Sequence, residues 1–157
     1  MSTRDEVYES SVEYFHGDTL AADVFLKYAL RDGDDFLELS PDDMHRRLAR
    51  EFARIEANYP ESLSEDEIYK LFQDFRYVMP QGSPLSGIGN PYQIQSLSNC
   101  FVIDSARDSY AGILHTDQEQ VQIMKRRGGV GHDVSNIRPR GMPTKNAART
   151  TDGISVF

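Results

Sequence analysis

A strand–helix–strand pattern in the second half of the chain constrains the fold more than any other feature. Residues 97–104 enclose a continuous apolar run at 101–103, which is typical of a buried strand. A helix is predicted from residue 110 to about residue 127, and residues 130–137 alternate as a second strand does. Elements of these lengths form one parallel βαβ unit, which places the chain in the α/β class. We expect the helix to turn four apolar side chains inward: Ile113, Leu114, Val121 and Met124.

Two parallel strands cannot cover both of their own faces. The residues that follow them, 144–157, add little apolar sequence before the chain stops at "DGISVF". We therefore expect further polypeptide, from another segment or another chain, to complete the sheet.

The first half of the chain is predicted to be helical. Cap signals occur at residues 18–19, at Ser40 before a proline and two acidic residues, and in a capping box at 64–67. Apolar side chains follow each signal at helical spacing. The three sets are Leu20, Val24 and Tyr28; Met44, Leu48, Phe52 and Ile55; and Ile68, Leu71, Phe72 and Phe75.

Residues 79–100 contain three prolines and three glycines. So many helix breakers predict an extended, turn-rich stretch. We therefore assign a helical domain to residues 1–78 and a second domain to residues 79–157.

Composition argues against several classes of function. The formal net charge of -8 disfavours a nucleic-acid polymer as partner, because phosphate contacts need a basic face. No apolar run approaches the roughly 20 residues of a membrane span, and the polar, acidic N-terminus does not resemble a targeting segment. The single cysteine cannot form an internal disulfide, which leads us to expect a cytoplasmic location.

Basic side chains are concentrated towards the end of the chain. They are Lys125, Arg126, Arg127, Arg138, Arg140, Lys145 and Arg149. In an acidic chain this pattern indicates either a small anionic ligand or a solvated basic face, and charge alone does not separate the two.

Three local motifs could carry chemistry, and each has a structural alternative. Cys100 is either a buried packing residue or a reactive thiol. The glycines of 128–131 join a helix to a strand, the reverse of a phosphate-binding loop, although they let backbone amides approach a ligand. Asp108 and Ser109 are either a helix-capping pair or contacts to a hydroxyl-rich ligand. The 4 histidines show no ligand spacing, so no metal site is predicted.

The order of five motifs resembles one known family. In chain order they are "QGSPLSGIGN", "SLSNCFVI", "DSYAGIL", "QVQIMKRRGGVGHDVSNIRPRG" and "TTDGI". Together they resemble the large catalytic subunit of ribonucleotide reductase, most closely its cobalamin-dependent (class II) and related bacterial forms. The earlier stretches "DTLAADVFLKYALRD" and "SPDDMHRRLAREFARIE" resemble the helical lead-in of the same family, so the resemblance spans nearly the whole chain.

This resemblance implies a fold and a substrate site. A helical N-terminal domain would precede the first βαβ part of a ten-stranded α/β barrel, completed by another segment or chain. Cys100 matches one of two cysteines that become oxidised to a disulfide as the ribose is reduced. Ser83, Asn99 and Gly129 match contacts to the ribonucleotide substrate.

The resemblance also implies an allosteric site for a deoxynucleoside triphosphate (dNTP) effector, at the interface of a homodimer. Asp108, Ser109 and Tyr110 match the segment that binds the base and sugar of the effector. Arg138 and Lys145 match basic positions at its phosphates, a role that suits a forked guanidinium and an ammonium.

Other parts of the family's machinery are expected outside this chain. The radical-forming cysteine and the second redox cysteine would follow residue 157, so the chain is expected to be inactive without that C-terminal portion. Adenosylcobalamin is the expected radical source, and a dimetal-radical partner subunit is the alternative. A thioredoxin- or glutaredoxin-type protein would supply the reducing equivalents. The alternative function is a non-catalytic nucleotide-binding regulatory module.

Overall fold

The computed structural model describes residues 2–156, which form two compact units. The first unit is Met1–Leu97 and the second is Ser98–Phe157. The two compact units therefore meet after Leu97 in the sequence. The domain boundary predicted between residues 78 and 79 stays a prediction. Among the described residues, no helix has the length and apolar character needed to cross a membrane.

Helices make up most of the first unit. Its elements are α1 (Arg4–Tyr14), α2 (Thr19–Phe25), β1 (Arg31–Asp32), β2 (Asp35–Phe36), α3 (Pro41–Glu56), α4 (Glu65–Phe72) and α5 (Gly82–Gly87), and β1 pairs with β2 antiparallel. The prediction that residues 79–100 are extended is wrong at α5, where hydrogen bonds from Gln95 hold a helical turn despite the helix breakers. Two predicted caps are confirmed. The carboxylate of Asp18 accepts from the Ala21 amide at 3.0 Å. The Ser64 hydroxyl accepts from the Glu67 amide at 3.3 Å, and the Glu67 carboxylate accepts in return from the Ser64 amide at 2.9 Å.

The core of the first unit is built around α3. Met44 and Leu48 are fully buried there, as their spacing predicts. Further along the same predicted face, Phe52 and Ile55 are exposed, although the Phe52 ring stacks on Phe72 of α4 with centroids 5.6 Å apart. The apolar face of α3 is therefore buried only over its first two turns.

The apolar face predicted for α2 is wrong at two of its three residues, whereas Tyr28, which lies beyond the end of the helix, is partly buried against the core. Leu20 and Val24 are exposed, whereas Ala22 and Phe25 are buried. Ala22, Phe25 and the later Ala29 satisfy helical spacing as well as the larger side chains do, and alanine lets a helix approach its neighbours closely. Helical spacing alone therefore did not distinguish the buried side of this short helix from its solvent side.

The second unit contains the predicted βαβ arrangement. Its elements are β3 (Cys100–Val102), α6 (Tyr110–Met124) and β4 (Gly129–Gly131), and the two strands pair parallel with Cys100 opposite Gly129. Both strands are shorter than predicted. β4 ends early because Asp133 accepts hydrogen bonds from the Ser135 amide at 2.8 Å and the Ser135 hydroxyl at 2.6 Å, which turns the backbone.

Most of the expected inward face of α6 is exposed. Ile113 is buried, but Leu114, Val121 and Met124 are 66%, 57% and 53% exposed, so the prediction for these three residues is wrong. A two-stranded sheet is too narrow to cover more than one stripe of a helix. Residues 98–156 form mixed helix and sheet without a closed barrel.

One buried histidine has no hydrogen-bond partner among the described residues. His45 of α3 is 1% exposed, and neither Nδ1 nor Nε2 is hydrogen-bonded. The ring packs edge-on against Phe75 at 4.5 Å and lies 6.4 Å from the ring of Tyr14. Burial lowers the pKa of His45, although the nearby carboxylates of Asp42 and Asp74 act in the opposite direction. The histidine is therefore held neutral.

We predict that His45 makes the first unit less stable in acid. Below its ordinary pKa of 6.5 the unfolded chain binds a proton that the folded state excludes, so the free energy of unfolding falls as the pH drops. The contribution is at most about 1.4 kcal/mol per pH unit. Replacing His45→Leu should flatten the dependence as the pH falls below the ordinary pKa of 6.5, measured by urea unfolding with circular dichroism.

His16→Asn provides the control for this prediction. It removes an exposed histidine from the same unit, and asparagine tolerates the positive φ of 53° at that position. An unchanged pH slope in His45→Leu would contradict the prediction.

Candidate functional site

The five residues assigned to the effector site line one cavity of about 490 Å³ in the second unit. Asp108, Ser109 and Tyr110 enter it from the start of α6. Arg138 and Lys145 enter it from the segment that follows β4. Both segments leave the carboxyl ends of adjacent parallel strands, which is the edge where open α/β sheets commonly bind ligands.

Asp108 and Arg138 hold the two sides of the cavity together. The Arg138 Nε donates to Asp108 Oδ2 at 2.5 Å, and the Arg138 amide donates to Oδ1 at 3.3 Å. This bonding holds the pKa of Asp108 below its usual range, so the carboxylate stays ionised. The pairing joins residues 30 positions apart and was not foreseen from the sequence.

Ser109 is the N-cap of α6. Its hydroxyl accepts from the Gly112 amide at 3.1 Å, so the capping interpretation is confirmed. Its place in the cavity lining leaves the ligand interpretation open as well. A cap and a ligand contact are compatible, because a hydroxyl oxygen has two lone pairs and a proton to share.

The lining of the cavity combines charge with apolar surface. Two cations and one carboxylate give it a net positive charge, which favours an anionic ligand. Tyr110, Ile113 and Ile137 supply apolar area on which a flat ring could lie. Sequence reasoning missed Ile137, and it also missed four lining residues that belong to the C-terminal stretch: Thr144, Asn146, Thr151 and Gly153. The only sequence feature that pointed to these four residues was the presence of hydroxyl and basic side chains in the C-terminal stretch.

The thiol of Cys100 stands at the start of β3 and is exposed. The alternative of a buried packing residue is therefore wrong. In the parallel register Cys100 faces Gly129, whose amide donates to the Asn99 carbonyl at 2.6 Å. A Cβ on Gly129 would lie 3.8 Å from the Cys100 sulfur and 3.2 Å from the Asn99 oxygen, so glycine leaves space beside the thiol.

The structure thus brings three of the four predicted substrate contacts together: Asn99, Cys100 and Gly129. The fourth, Ser83, lies in α5 of the first unit and is buried. Within residues 2–156, no group of three or more histidine, cysteine or acidic side chains is arranged to hold a metal ion.

The cap of α6 gives a direct test of how this site is built. Ser109→Ala removes the hydroxyl that accepts from Gly112, so the free energy of unfolding should fall by about 1 kcal/mol. Ser109→Thr keeps a capping oxygen and should stay within about half that loss. Urea unfolding followed by circular dichroism measures both, and equal stabilities of the two variants would contradict the assignment.

Comparison with known proteins identifies relatives of this region. Residues 98–157 match the family model of the ribonucleotide reductase barrel domain. The chain is 34% identical over 79 residues to ribonucleoside-diphosphate reductase large chain 2 of Saccharomyces cerevisiae, covering 50% of this chain and 9% of that protein. It is 31% identical over 97 residues to the ribonucleoside-diphosphate reductase large subunit of Arabidopsis thaliana, covering 59% of this chain and 12% of that protein.

A third relative covers a larger share of this chain. The ribonucleoside-diphosphate reductase large chain of Encephalitozoon cuniculi is 25% identical over 130 residues, covering 81% of this chain and 15% of that protein. The chain thus spans a small part of each relative's length. All three are eukaryotic proteins, and they do not support the expected similarity to cobalamin-dependent forms. By these comparisons the chain is similar to a portion of the large chain of ribonucleoside-diphosphate reductase.

Proposed function

We propose that this chain forms the N-terminal part of a ribonucleotide reductase catalytic subunit. The exposed thiol of Cys100 carries the proposal, because it opens the first strand of a segment similar to that family's barrel domain. The helical unit before it and the βαβ unit around it correspond to the helical domain and the beginning of a ten-stranded barrel. Further polypeptide, in the same chain or another, would complete the barrel.

In this proposal Cys100 is one of a pair of redox thiols. The substrate is a ribonucleotide, and the names of the relatives favour a ribonucleoside diphosphate. A thiyl radical on a cysteine outside residues 1–157 removes the 3′ hydrogen of the ribose. The 2′ hydroxyl then leaves as water, while Cys100 and its partner thiol supply two electrons and two protons and become a disulfide. The 3′ hydrogen returns at the end, and a thioredoxin- or glutaredoxin-type dithiol reduces the disulfide.

The residues around Cys100 have positioning roles in this proposal. Gly129 keeps the space beside the sulfur open for the ribose, and its contact with the Asn99 carbonyl sets the register of the two strands. Asn99 contacts the substrate, and Ser83 contributes from α5. The radical source is assigned to a dimetal partner subunit in place of adenosylcobalamin, since the relatives are large chains of eukaryotic ribonucleoside-diphosphate reductases and do not support the latter.

The cavity between Asp108 and Arg138 is proposed as the allosteric dNTP site of this subunit. The net positive lining suits the triphosphate, the apolar side chains suit the base, and Asp108 and Ser109 suit the sugar hydroxyl. Selection of substrate would follow from coupling between this site and the thiol site, at opposite ends of the same βαβ unit. Homodimerisation of complete subunits and a cytoplasmic location belong to the same proposal.

One observation favours the alternative, a non-catalytic nucleotide-binding module. All five residues of the predicted effector site line the cavity, whereas Cys100 is the single cysteine of the 157-residue sequence. The two functions differ in whether the thiol is needed.

The thiol is tested by reconstitution. Mixed with the chain that carries the rest of the barrel, a radical-generating subunit and a dithiol reductant, the wild type should reduce ribonucleotides. Cys100→Ser should lower turnover by about a thousandfold or more, because serine cannot donate the electrons. Its dNTP affinity, measured by calorimetry, should match the wild type and so serves as the control for folding. Undiminished activity of Cys100→Ser would contradict the proposal and favour the regulatory module.

The effector site is tested by calorimetry with dNTPs. Arg138→Gln removes a charged donor and should weaken binding about tenfold, since a hydrogen bond to a charged group contributes roughly 1.5–3 kcal/mol. The matched control is Arg140→Gln, the same change at an exposed arginine that does not line the cavity. Equal losses in both variants would mean that general charge, and not this cavity, attracts the ligand.

A further inference from the structure

A buried ion pair crosses the interior of the first unit. The Arg47 Nε lies 2.7 Å from Glu38 Oε1, and the two side chains are 7% and 4% exposed. Glu38 also accepts from the Leu30 amide at 2.7 Å, which ties its carboxylate to the chain before β1. The Arg47 guanidinium, which belongs to α3, is therefore bound on one side by the Glu38 carboxylate, and a backbone amide fixes that carboxylate in turn.

The other side of Arg47 faces the C-terminal end of α5. Its Nη2 donates to the Leu85 carbonyl at 2.8 Å, and its Nη1 donates to the Ile88 carbonyl. The last carbonyls of a helix have no partner within the helix, so a buried arginine satisfies groups that water would otherwise have to reach. One planar fork thus joins Glu38 to two carbonyls of a different segment.

The beginning of α5 is fixed as well. Gln95 Nε2 donates to the Ser83 carbonyl at 3.1 Å and to the Ser86 hydroxyl at 2.9 Å. A Cβ on Gly82 would lie 2.7 Å from Cε1 of Tyr28, so the helix begins directly against that ring. These contacts matter because α5 is only six residues long and contains two glycines, a proline and two serines. Such a segment does not form a helix on its own.

Stability alone does not account for the Glu38–Arg47 pair. Desolvation offsets most of the attraction between two buried charges, and apolar side chains of the same volume commonly stabilise a core as well. What an apolar pair cannot supply is a set of fixed donors aimed at the end of α5. The particular contribution of Arg47 is therefore to fix the position of α5 by hydrogen bonds in defined directions.

We propose that Arg47, oriented by Glu38, is a positioning residue for α5 and through it for Ser83. This inference rests on the proposed function, in which Ser83 contributes to substrate binding. Ser83 is only 5% exposed, so a small displacement or rotation of α5 decides how much of its hydroxyl reaches a ligand. Arg47 itself contacts no substrate in this proposal.

The test compares two arginines of α3. Arg47→Lys keeps the positive charge beside Glu38 but loses the fork, since one ammonium cannot reach Glu38 and both carbonyls in fixed directions. Glu38→Asp is the second variant, because it keeps both charges and draws the guanidinium away from α5. Arg54→Lys is the control, the same substitution on the same helix at an exposed pair with Glu51.

The first readout is amide hydrogen exchange of the full chain. The Leu85 and Ile88 amides donate to the Gln81 and Pro84 carbonyls, so their exchange reports the opening of α5. In Arg47→Lys and Glu38→Asp these amides should exchange about tenfold faster, with α3 and α4 unchanged, whereas Arg54→Lys should match the wild type. Wild-type exchange in α5, or acceleration spread equally over α3 and α4, would overturn the positioning role.

The second readout is the kinetics of the reconstituted reductase. Arg47→Lys should raise KM for the ribonucleotide about tenfold and leave kcat within about twofold, because the reacting thiols are untouched. Faster exchange of α5 with an unchanged KM would overturn the link to substrate. A wild-type assembly that binds no ribonucleotide and reduces none would instead count against the proposed function, and the exchange result would still decide whether Arg47 holds α5.

Discussion

The parallel pairing of β3 with β4 is the constraint on which the second unit depends. Placing Cys100 opposite Gly129 brings the thiol next to a residue whose lack of a side chain leaves space beside it. The same register sends the segments after both strands out at one edge of the sheet. Asp108 and Arg138, far apart in sequence, meet there and enclose the cavity. The short pairing of β3 with β4 therefore positions the Cys100 thiol at the beginning of the strands and the charged cavity beyond their ends.

The chemistry of that cavity follows from how its charges are used. Arg138 is engaged by Asp108, and this fixes the direction of the guanidinium while leaving the lining with one excess positive charge. An anionic ligand would compete with Asp108 for the same cation, so binding and the alignment of the two segments are linked. Such a link is the kind of two-state element through which one site can bias another.

Local chemistry in the sequence predicted the starts of α2, α3, α4 and α6 well and their buried faces less well, and it gave no start for α1 or α5. The caps at Asp18, Ser64 and Ser109 are confirmed, because each depends on a side chain within three residues of the amide it serves. The faces of α2 and α6 were assigned from the spacing of large apolar residues, and this assigned Leu20 and Leu114 to the wrong side. Spacing identifies a helix, but which stripe is buried depends on the area of the element that packs against it.

The sequence by itself determined the starts of α2, α3, α4 and α6, the βαβ order and the residue types of both candidate sites, since these follow from short-range hydrogen bonding and periodicity. It also carried the ordered motifs that resemble ribonucleotide reductase. Only the tertiary structure decided that the thiol of Cys100 is exposed, that Asp108 pairs with Arg138, and that Arg47 reaches α5. These contacts join residues up to 41 positions apart. No local rule encodes them, because they depend on how complete elements pack.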